Sequence, residues 1–509
     1  MDAEALIRTL RNFLAISQSA VVLENGSVVF DLCSAKYSVA GEHGKCLLHF
    51  WSAERNIVRR VLEAEVKNQT LRLTVLRMGQ SHPSKLEICR KDDHRSPSLK
   101  RSARAIYRCK LQRALEHVFR GWKLSQLSTS MDLERSFGPI YSRGLLRRGR
   151  SGVAVLGVNR EETAASVDRA ITFGILWLDA CRQAHPELVI EGLNLFLPEG
   201  CSLPTRQRVS LLNRDAAKWR IFEFQEREDS LRELDCFDSG NMATRLVQCP
   251  DEMFAHERFA EAIGRIRGLV REAEVSVLST SEIAVRLNGL EFARARLTYD
   301  SASFRSGYEI VFGLGAEERV LDQSNASEFT RLLQEAGEVR HPDGPRDHPL
   351  FRMHPERWLE SVVVKDASAI DERVDPACVY SQVPAFSASD RAMIDVLTTT
   401  REGQLAVIEL KADEDIHLPL QALDYWARVQ WHHARGEFRR FGYFPNRELS
   451  AKNPLLFLVA PALHVHPATD TILRYISPEI EWTLAAIDER WRTGVRVIFR
   501  KYQGAPVAA

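Results

Sequence analysis

The chain has 509 residues and a mass of 57.8 kDa, which is too large for one hydrophobic core, so about three or four domains are expected. Its composition, 45% hydrophobic and 27% charged with Gly and Pro spread along the chain, excludes the disordered, collagen-like and fibrous classes. The formal net charge of +1 indicates no class of partner by itself.

The sequence carries no signal of export or of membrane insertion. Its apolar stretches are all well short of the roughly 18 residues that span a bilayer. The first residues form an amphipathic pattern with acidic residues first, unlike a signal peptide. The nine cysteines are odd in number, widely spaced and free of CxxC, which favours neither a disulfide framework nor a zinc site. We therefore expect a cytoplasmic protein without a membrane partner.

The first 90 residues predict a small β-rich module. Apolar and polar residues alternate from Ala20 to Gly79, and Asn25-Gly26 is a typical hairpin turn between two such runs. The range 91–155 follows as a basic helical segment. From Lys85 to Arg150 there are 17 Lys and Arg against six Asp and Glu, so a basic region precedes a mildly acidic remainder.

Residues 96–127 show apolar side chains at helical spacing with basic residues on the other face. Tyr107, Phe119 and Trp122 are interleaved with the basic residues, a pattern that suits contact with a phosphate backbone and stacking of bases. The alternative is a solvated basic face that pairs with an acidic neighbour. The candidate nucleic-acid-binding residues are Lys100, Arg101, Arg104, Arg108, Arg113, Arg120 and Lys123.

The rest of the chain predicts three further segments of α/β character. The range 156–250 holds a long helix over 161–183, an apolar strand, a short helix and the strand WRIFEF. The range 251–345 reads as an α+β unit that ends in the turn-rich stretch HPDGPRDHP. The last domain is expected at 350–509. The predicted fold class is therefore multidomain α/β.

The stretch 391–426 carries the most informative arrangement. Two apolar strands flank the turn REG, and the second strand ends in Glu409-Leu410-Lys411. Because side chains alternate along a strand, Glu409 and Lys411 point to one face, and Asp395 on the first strand reaches that face if the two strands pair. Two converging carboxylates repel each other unless a hard divalent cation lies between them.

These residues resemble the signature of the PD-(D/E)xK nuclease superfamily, which has a restriction-endonuclease-like fold. Asp395 matches the first acidic residue, and Glu409 with Lys411 matches the second half of the motif. IDVL followed by VIELK is also similar to the archaeal and actinobacterial mismatch endonuclease family. The similarity covers roughly residues 355–502. Ile394 stands where the family usually has Pro.

The resemblance extends to two helices. HPERWLESVV looks like the family's opening helix, in which Glu360 stands where a further acidic residue is common. Gln421 and Tyr425 are similar to the QxxxY motif of the RecB-type branch, and their spacing puts them on one helix face. The resemblance implies a C-terminal core with a mixed central sheet flanked by helices, after the small β-rich module and the middle α/β units.

The activity that the resemblance implies is Mg²⁺-dependent phosphodiester hydrolysis, with Mn²⁺ as an alternative ion, in repair or defence. The implied ligands of the ion are Asp395, Glu409, the carbonyl of Leu410 and Glu360. Lys411 would position or deprotonate the attacking water, and Gln421 and Tyr425 would orient the scissile strand. DNA is favoured over RNA as the substrate.

The turn after Lys411 departs from the family pattern, because it carries Asp413, Glu414 and Asp415, and acidic residues beside a phosphate groove repel a polyanion. These residues either form a solvated turn or restrict the substrate to an end or a flap.

Several alternatives remain open at this level. The chain could be a non-catalytic nucleic-acid-binding or scaffold protein with an inactive nuclease fold, or an effector gated by its N-terminal half, and a homodimer is compatible with the sequence. IFEFQERED near residue 223 is also similar to VIELKADED near residue 409. Either an ancient duplication that left a degenerate nuclease-like copy within 156–250 or a chance agreement explains this similarity.

Overall fold

The computed structural model describes residues 3–16, 20–24, 27–32, 36–42, 44–51, 56–67, 70–77, 83–90, 97–132, 135–238, 242, 244–300, 305–314, 318–387 and 393–504. These residues form a mixed α/β protein with several sheets, as expected. They divide into two compact units, the first within Met1–Ala170, Leu195–Cys201 and Phe222–Glu233, the second within Ile171–Asn194, Ser202–Ile221 and Leu234–Ala509. Among the helices described, none has the length and apolar character needed to cross a bilayer.

The N-terminal residues form one helix and an antiparallel sheet with strand order β2-β1-β7-β6-β5-β4-β3. The elements are α1 (Ala3–Ile16), β1 (Ala20–Glu24), β2 (Ser27–Asp31), β3 (Lys36–Glu42), β4 (Lys45–Trp51), β5 (Asn56–Lys67), β6 (Thr70–Arg77) and β7 (Ser84–Arg90). Leu6, Leu10 and Leu14 share one face of α1 and are buried in the same core as the inward side chains of the sheet. The predicted β-rich character is confirmed, while Asn25 and Gly26 lie outside the described residues.

The second group of elements forms a sheet with strand order β13-β12-β11-β10-β9-β8. Its members are α2 (Pro97–Val118), β8 (Lys123–Leu124), β9 (Tyr141–Arg148), β10 (Ser151–Val158), α3 (Ala164–Asp168), α4 (Ala170–Ala184), β11 (Val189–Pro198), α5 (Leu203–Val209), β12 (Lys218–Gln225) and β13 (Ser230–Leu234).

Two sequence predictions need correction in this group. The sequence predicts a helical segment over 91–155, but among the described residues of that range α2 is the only helix, and β8, β9 and the first part of β10 follow it. The hairpin of β9 and β10 turns at Gly149, whose φ of +60° suits glycine. The single helix expected over 161–183 is two helices, α3 and α4, that meet at Arg169.

The third group packs three helices on a five-stranded antiparallel sheet with order β15-β16-β17-β18-β19. The elements, after β14 (Thr244–Leu246), which belongs to the C-terminal sheet, are α6 (Glu252–Arg258), α7 (Ala260–Arg267), β15 (Glu274–Ser279), β16 (Glu282–Leu287), β17 (Leu290–Asp300), β18 (Arg305–Phe312), β19 (Arg319–Val320) and α8 (Ala326–Val339). This arrangement agrees with the α+β character predicted for 251–345.

The C-terminal group holds the candidate site and a sheet with order β14-β20-β21-β22-β23-β24-β25. Its elements are α9 (Pro349–Arg352), α10 (Pro355–Lys365), β20 (Val374–Ser387), β21 (Met393–Thr400), β22 (Leu405–Leu410), α11 (Leu418–Ala434), α12 (Glu437–Arg440), β23 (Leu455–Pro461), α13 (Thr469–Leu473), β24 (Trp482–Ile487) and β25 (Val497–Tyr502).

The centre of this C-terminal sheet is buried on both faces. Strands β22, β23 and β24 are parallel, and every residue of each is buried, which explains their continuous apolar sequences. Helix α10 packs Trp358 and Leu359 into the same core as Ile408 of β22 and Phe457 of β23. The backbone at the carboxyl end of β22 is therefore held rigidly by neighbours on both sides.

Candidate active site

The antiparallel hairpin of β21 and β22 positions the two predicted carboxylates. Val396 pairs with Ile408, so the next position outward sets Asp395 opposite Glu409. Asp395 Oδ2 accepts a hydrogen bond of 3.1 Å from the backbone N–H of Leu410. Only 1% of Glu409 is exposed to solvent. The structure thus brings together the two acidic residues that the sequence predicted to converge.

Lys411 completes this group at the end of β22. Its backbone N–H donates to the carbonyl of Val459 on β23 at 2.9 Å, which extends the parallel ladder by one bond. Its Nζ lies 3.3 Å from Glu409 Oε1 and 3.7 Å from Glu356 Oε1. Burial lowers the pKa of the Lys411 amine, but Glu409, Glu356 and Asp395 outweigh this effect, so the pKa is raised. The amine is therefore a charged group among acidic neighbours.

The carboxyl groups of Asp395 and Glu409 are in hydrogen-bonding contact, which lowers the pKa of Asp395 and raises that of Glu409. Burial and then Asp395 raise the pKa of Glu409 well above its usual value. Burial also raises the pKa of Asp395, against the lowering effect of the Leu410 N–H. Two such carboxylates share a proton or bind a cation when they are taken out of water.

The residues of this pocket fit a hard divalent cation. Glu409 Oε2 is buried, and no hydrogen-bond donor reaches it among the described residues. Within the described ranges, no three His, Cys, Asp or Glu side chains are grouped as a metal site. Mg²⁺, however, is usually bound by one or two carboxylates together with water and substrate oxygens, and Asp395 and Glu409 supply that number.

Glu360 lies beside the pair on α10, and only 5% of it is exposed. Its Oε2 accepts hydrogen bonds from Arg357 Nη1 at 3.0 Å and from Gln382 Nε2 at 2.6 Å. Burial raises the pKa of Glu360 to about 7, and the negative charge of Asp395 contributes in the same direction. Glu360 is thus close enough to Asp395 for their charges to interact, and one of its oxygens is already engaged by two donors.

Gln421 and Tyr425 lie one turn apart on α11, with Gln421 Nε2 3.4 Å from the Tyr425 hydroxyl. Burial raises the pKa of Tyr425 well above its usual value, and the charges of Glu409 and Asp395 add to the effect. The QxxxY pair therefore lies near the carboxylates, as the resemblance implies, and the phenol stays neutral.

Three residues near the site were not predicted from the sequence. Glu356 on the first turn of α10 contacts Lys411, and it stands four residues before Glu360, a helical spacing that could have indicated it. Arg357, also on α10, forms an ion pair with Glu360 three residues further along the helix. Gln382 gives no sequence signal. It has a φ of +53° within β20, and its amide donates to Glu360.

The acidic turn after Lys411 interacts with the histidines that follow β23. Asp413 Oδ1 lies 4.0 Å from His464 Nδ1, and Glu414 Oε1 lies 3.7 Å from His466 Nε2. The Asp413 side chain is 78% exposed. These contacts agree with the interpretation of 413–415 as a solvated turn.

The predicted nucleic-acid-binding residues of α2 and its continuation fall into distinct environments. Arg104 forms a two-point ion pair with Glu162, and Arg113 binds Asp229 at 2.8 Å. Arg108 is half-buried, whereas Arg120 and Lys123 are exposed. The side chains of Lys100 and Arg101 lie outside the described part of the chain.

The interpretation of the interleaved aromatic residues as base-stacking groups is wrong for two of the three. Tyr107 is 2% exposed and lies in a hydrophobic core. Phe119 packs edge-on against Phe222, with ring centroids 5.7 Å apart. Trp122 is half-buried and carries the guanidinium of Arg148 over its ring. The apolar face of α2 is therefore the face that packs on the protein.

No protein-family model matches this chain, and no curated protein has a sequence that matches it. The candidate site is therefore defined by its own geometry: the buried Glu409 and half-buried Asp395 carboxyls, one lysine, a nearby glutamate and a Gln–Tyr pair in the C-terminal group of elements.

Proposed function

We propose that the C-terminal group of elements is a Mg²⁺-dependent nuclease of the PD-(D/E)xK type, and that DNA is its preferred substrate over RNA. The observation that carries this proposal is the contact of the buried Glu409 carboxyl with the half-buried Asp395 carboxyl beside a lysine, with one Glu409 oxygen left without a donor among the described residues. A purely structural ion pair needs one carboxylate for one amine, whereas this pocket holds an excess of negative charge that a divalent cation offsets.

Asp395, Glu409 and the carbonyl of Leu410 would hold the ion, and Glu360 would orient the site through Arg357 and Gln382. The bound ion would polarise a phosphate oxygen and lower the pKa of a water. The charge of Lys411 would stabilise the negative charge that develops on the phosphate during attack by water. Gln421 and Tyr425 are neutral donors and would position the scissile strand.

The exposed basic residues of the first unit would contribute electrostatic affinity for the phosphate backbone. Arg120 and Lys123 are the candidates with free access to solvent, whereas Arg104 and Arg113 are committed to ion pairs. Contacts of this kind do not depend on sequence and weaken steeply with salt.

The proposal is tested by incubating the full chain with single-stranded, duplex, flapped and mismatched DNA and with RNA, in Mg²⁺, in Mn²⁺ and in EDTA. We expect cleavage of DNA in either ion and none in EDTA, because the ion is required to activate water and neutralise the phosphate. If the chain binds DNA with a steep salt dependence but cuts none of these substrates in either ion, the non-catalytic binding function replaces the nuclease.

The stability of the metal-free protein is expected to depend on pH through Glu360. Its folded-state pKa of about 7 lies above the usual value near 4.5, so its protonation favours the folded state. The stabilisation is complete below pH 4.5 and is lost as the pH rises through 7, by an amount of up to about 3 kcal/mol. Urea unfolding in EDTA at pH 5 and pH 8 measures this difference.

The matched variant for this prediction is Glu360→Gln, which keeps the shape of the side chain and removes its titration. We expect the loss of stability between pH 5 and pH 8 to be clearly smaller in Glu360→Gln than in the wild type. An equal loss in the two proteins would show that Glu360 does not titrate in this range.

A further inference from the structure

Two groups of elements in this chain share one topology. In each, a helix precedes three strands, a helix leads to a fourth strand, and a short helix leads to a fifth that is followed by a sixth. The first series is α2, β8, β9, β10, α4, β11, α5, β12 and β13, and the second is α10, β20, β21, β22, α11, β23, α13, β24 and β25; the short helices α3 of the first and α12 of the second have no counterpart. The strands also follow the same spatial order in both sheets, with β14 added at the edge of the second. We name these series module N and module C.

The contacts between the two modules are reciprocal: the short helix of each module, or the residues just after it, contacts the longer helix of the other. Arg208 on α5 of module N binds Asp424 on α11 of module C at 2.6 Å. In the reverse sense, Tyr475 after α13 of module C accepts a hydrogen bond of 3.0 Å from Arg182 on α4 of module N. The neighbouring Arg474 lies 3.7 Å from Asp179, also on α4. Such exchange is the property of an interface with two-fold symmetry, in which the same patch is used twice.

A backbone bridge marks the position of this two-fold relation. Leu212 and Ile476 pair in antiparallel fashion, and each is the third residue after its short helix, α5 or α13. Asn213 N–H donates to the carbonyl of Tyr475 at 2.8 Å, and Ser477 N–H donates to the carbonyl of Leu211 at 2.9 Å. Equivalent residues of two modules meet each other in this way only near a two-fold axis.

Module N lacks the chemistry of module C. Strands β9 and β10, which correspond to the hairpin that carries Asp395 and Glu409, have the sequences YSRGLLRR and SGVAVLGV and contain no acidic residue. Side chains of α2 also fill the space at the end of β10. A Cβ atom placed on Gly157 would meet Leu111 Cδ2 at 2.5 Å and the Tyr107 hydroxyl at 2.6 Å. Strands β9 and β10 therefore supply no counterpart of the Asp395–Glu409 pair.

From these observations we propose that the chain is an internal pseudo-dimer of two nuclease-like modules, in which only module C cuts, so that one binding event breaks one strand of duplex DNA. This inference rests on the proposed function. The two strands of a duplex are related by two-fold axes, and a symmetric pair of active modules addresses both of them. With module N inert, a single phosphodiester bond lies in reach of active residues, and module N serves to hold the duplex.

The experiment uses the full chain, supercoiled plasmid DNA and Mg²⁺, with products separated as supercoiled, nicked circular and linear forms. We expect supercoiled DNA to be converted first into nicked circles. Linear DNA should accumulate only later, as independent nicks build up. Glu409→Gln in the same preparation is expected to give neither product, which assigns the nicks to module C.

Each other outcome counts against the inference. Linear DNA formed at the earliest times, without a nicked intermediate, would show that two active sites cut together. Either module N would then be active, or two chains would pair on DNA. This outcome would contradict the inference and leave the proposed nuclease function intact. Complete absence of conversion in Mg²⁺ and Mn²⁺ would contradict the nuclease function itself, and the inference would fail with it.

Discussion

Glu409→Gln is expected to abolish DNA cleavage and at the same time to raise the thermal stability of the metal-free protein. The glutamate is fully buried beside Asp395, burial raises the pKa of both carboxyls, and the charge of Asp395 raises the pKa of Glu409 further. Gln keeps the shape, removes the repulsion and offers an N–H donor to Asp395. It cannot supply the charge that binds a divalent cation, so the rate should fall roughly 10³-fold or more.

Two measurements separate this prediction from a structural role of Glu409. Initial rates on plasmid DNA give the catalytic loss, and thermal unfolding in EDTA gives the change in stability, for which we expect a rise of about a few degrees. Added Mg²⁺ should raise the melting temperature of the wild type and leave that of Glu409→Gln unchanged, because only the wild type binds the ion.

The matched control is Asp413→Asn, since Asp413 is an acidic residue of the adjacent turn whose side chain is 78% exposed. We expect this variant to retain cleavage and the Mg²⁺-dependent rise in melting temperature. Wild-type rates in Glu409→Gln would contradict the assignment of the site. A marked fall in the melting temperature of Glu409→Gln would indicate that the charge of Glu409 stabilises the fold through Lys411.

The core of the candidate site could be predicted because it depends on local geometry. Strand alternation fixes the relation of Glu409 to Lys411, and one tight turn brings Asp395 from the neighbouring strand. Helical spacing likewise relates Gln421 to Tyr425. Gln382 could not be predicted, because its contact with Glu360 depends on long-range packing of β20 beside α10 and on a positive φ that no short pattern encodes.

The similarity between IFEFQERED and VIELKADED illustrates how short patterns mislead. Glu223 belongs to β12, the fifth strand of module N, whereas Glu409 belongs to β22, the third strand of module C, so the two residues do not correspond. Glu223 is a structural carboxylate that binds Arg232 and accepts from the backbone of Gly200. The topological repeat lies in the order of elements and strands, a property that becomes visible only when the long-range pairing is known.

The basic helix α2 shows a further limit of prediction from short sequence patterns. The periodicity of α2 correctly predicts a helix with one apolar face, but periodicity does not say whether another part of the protein or a ligand covers that face. Tyr107 is covered by the core, and Arg104 meets Glu162, which lies far away in the sequence. The number of basic residues that remain accessible to a polyanion is therefore smaller than the sequence suggests.

Arg340→Met is expected to destabilise the second unit by about 3–5 kcal/mol, the range for breaking a buried, multiply bonded charge. Arg340 has no exposed surface, lies 4.5 Å from the ring of Trp358, and donates to backbone carbonyls around its guanidinium. Burial and the nearby Arg492 lower its pKa to about 10, so it remains charged at neutral pH. The accepting carbonyls belong to Asn288, Leu350, Phe351, Met353 and His354.

Met fills a similar volume but leaves these carbonyls without donors in a segment that leads directly into α10. The loss should therefore exceed that in the control Arg352→Met, since Arg352 is exposed and its Nε donates to the carbonyl of Arg346 at 2.8 Å. Arg340→Lys should recover only part of the stability, because an ammonium group cannot reach the several carbonyls that a planar guanidinium spans. Urea unfolding of the three variants measures these differences, and an Arg340→Met protein as stable as Arg352→Met would show that the buried guanidinium is dispensable.

Because Glu360 lies on α10, Arg340→Met should also reduce the rise in melting temperature that Mg²⁺ produces. Such a reduction would couple the buried arginine to the geometry of the candidate site.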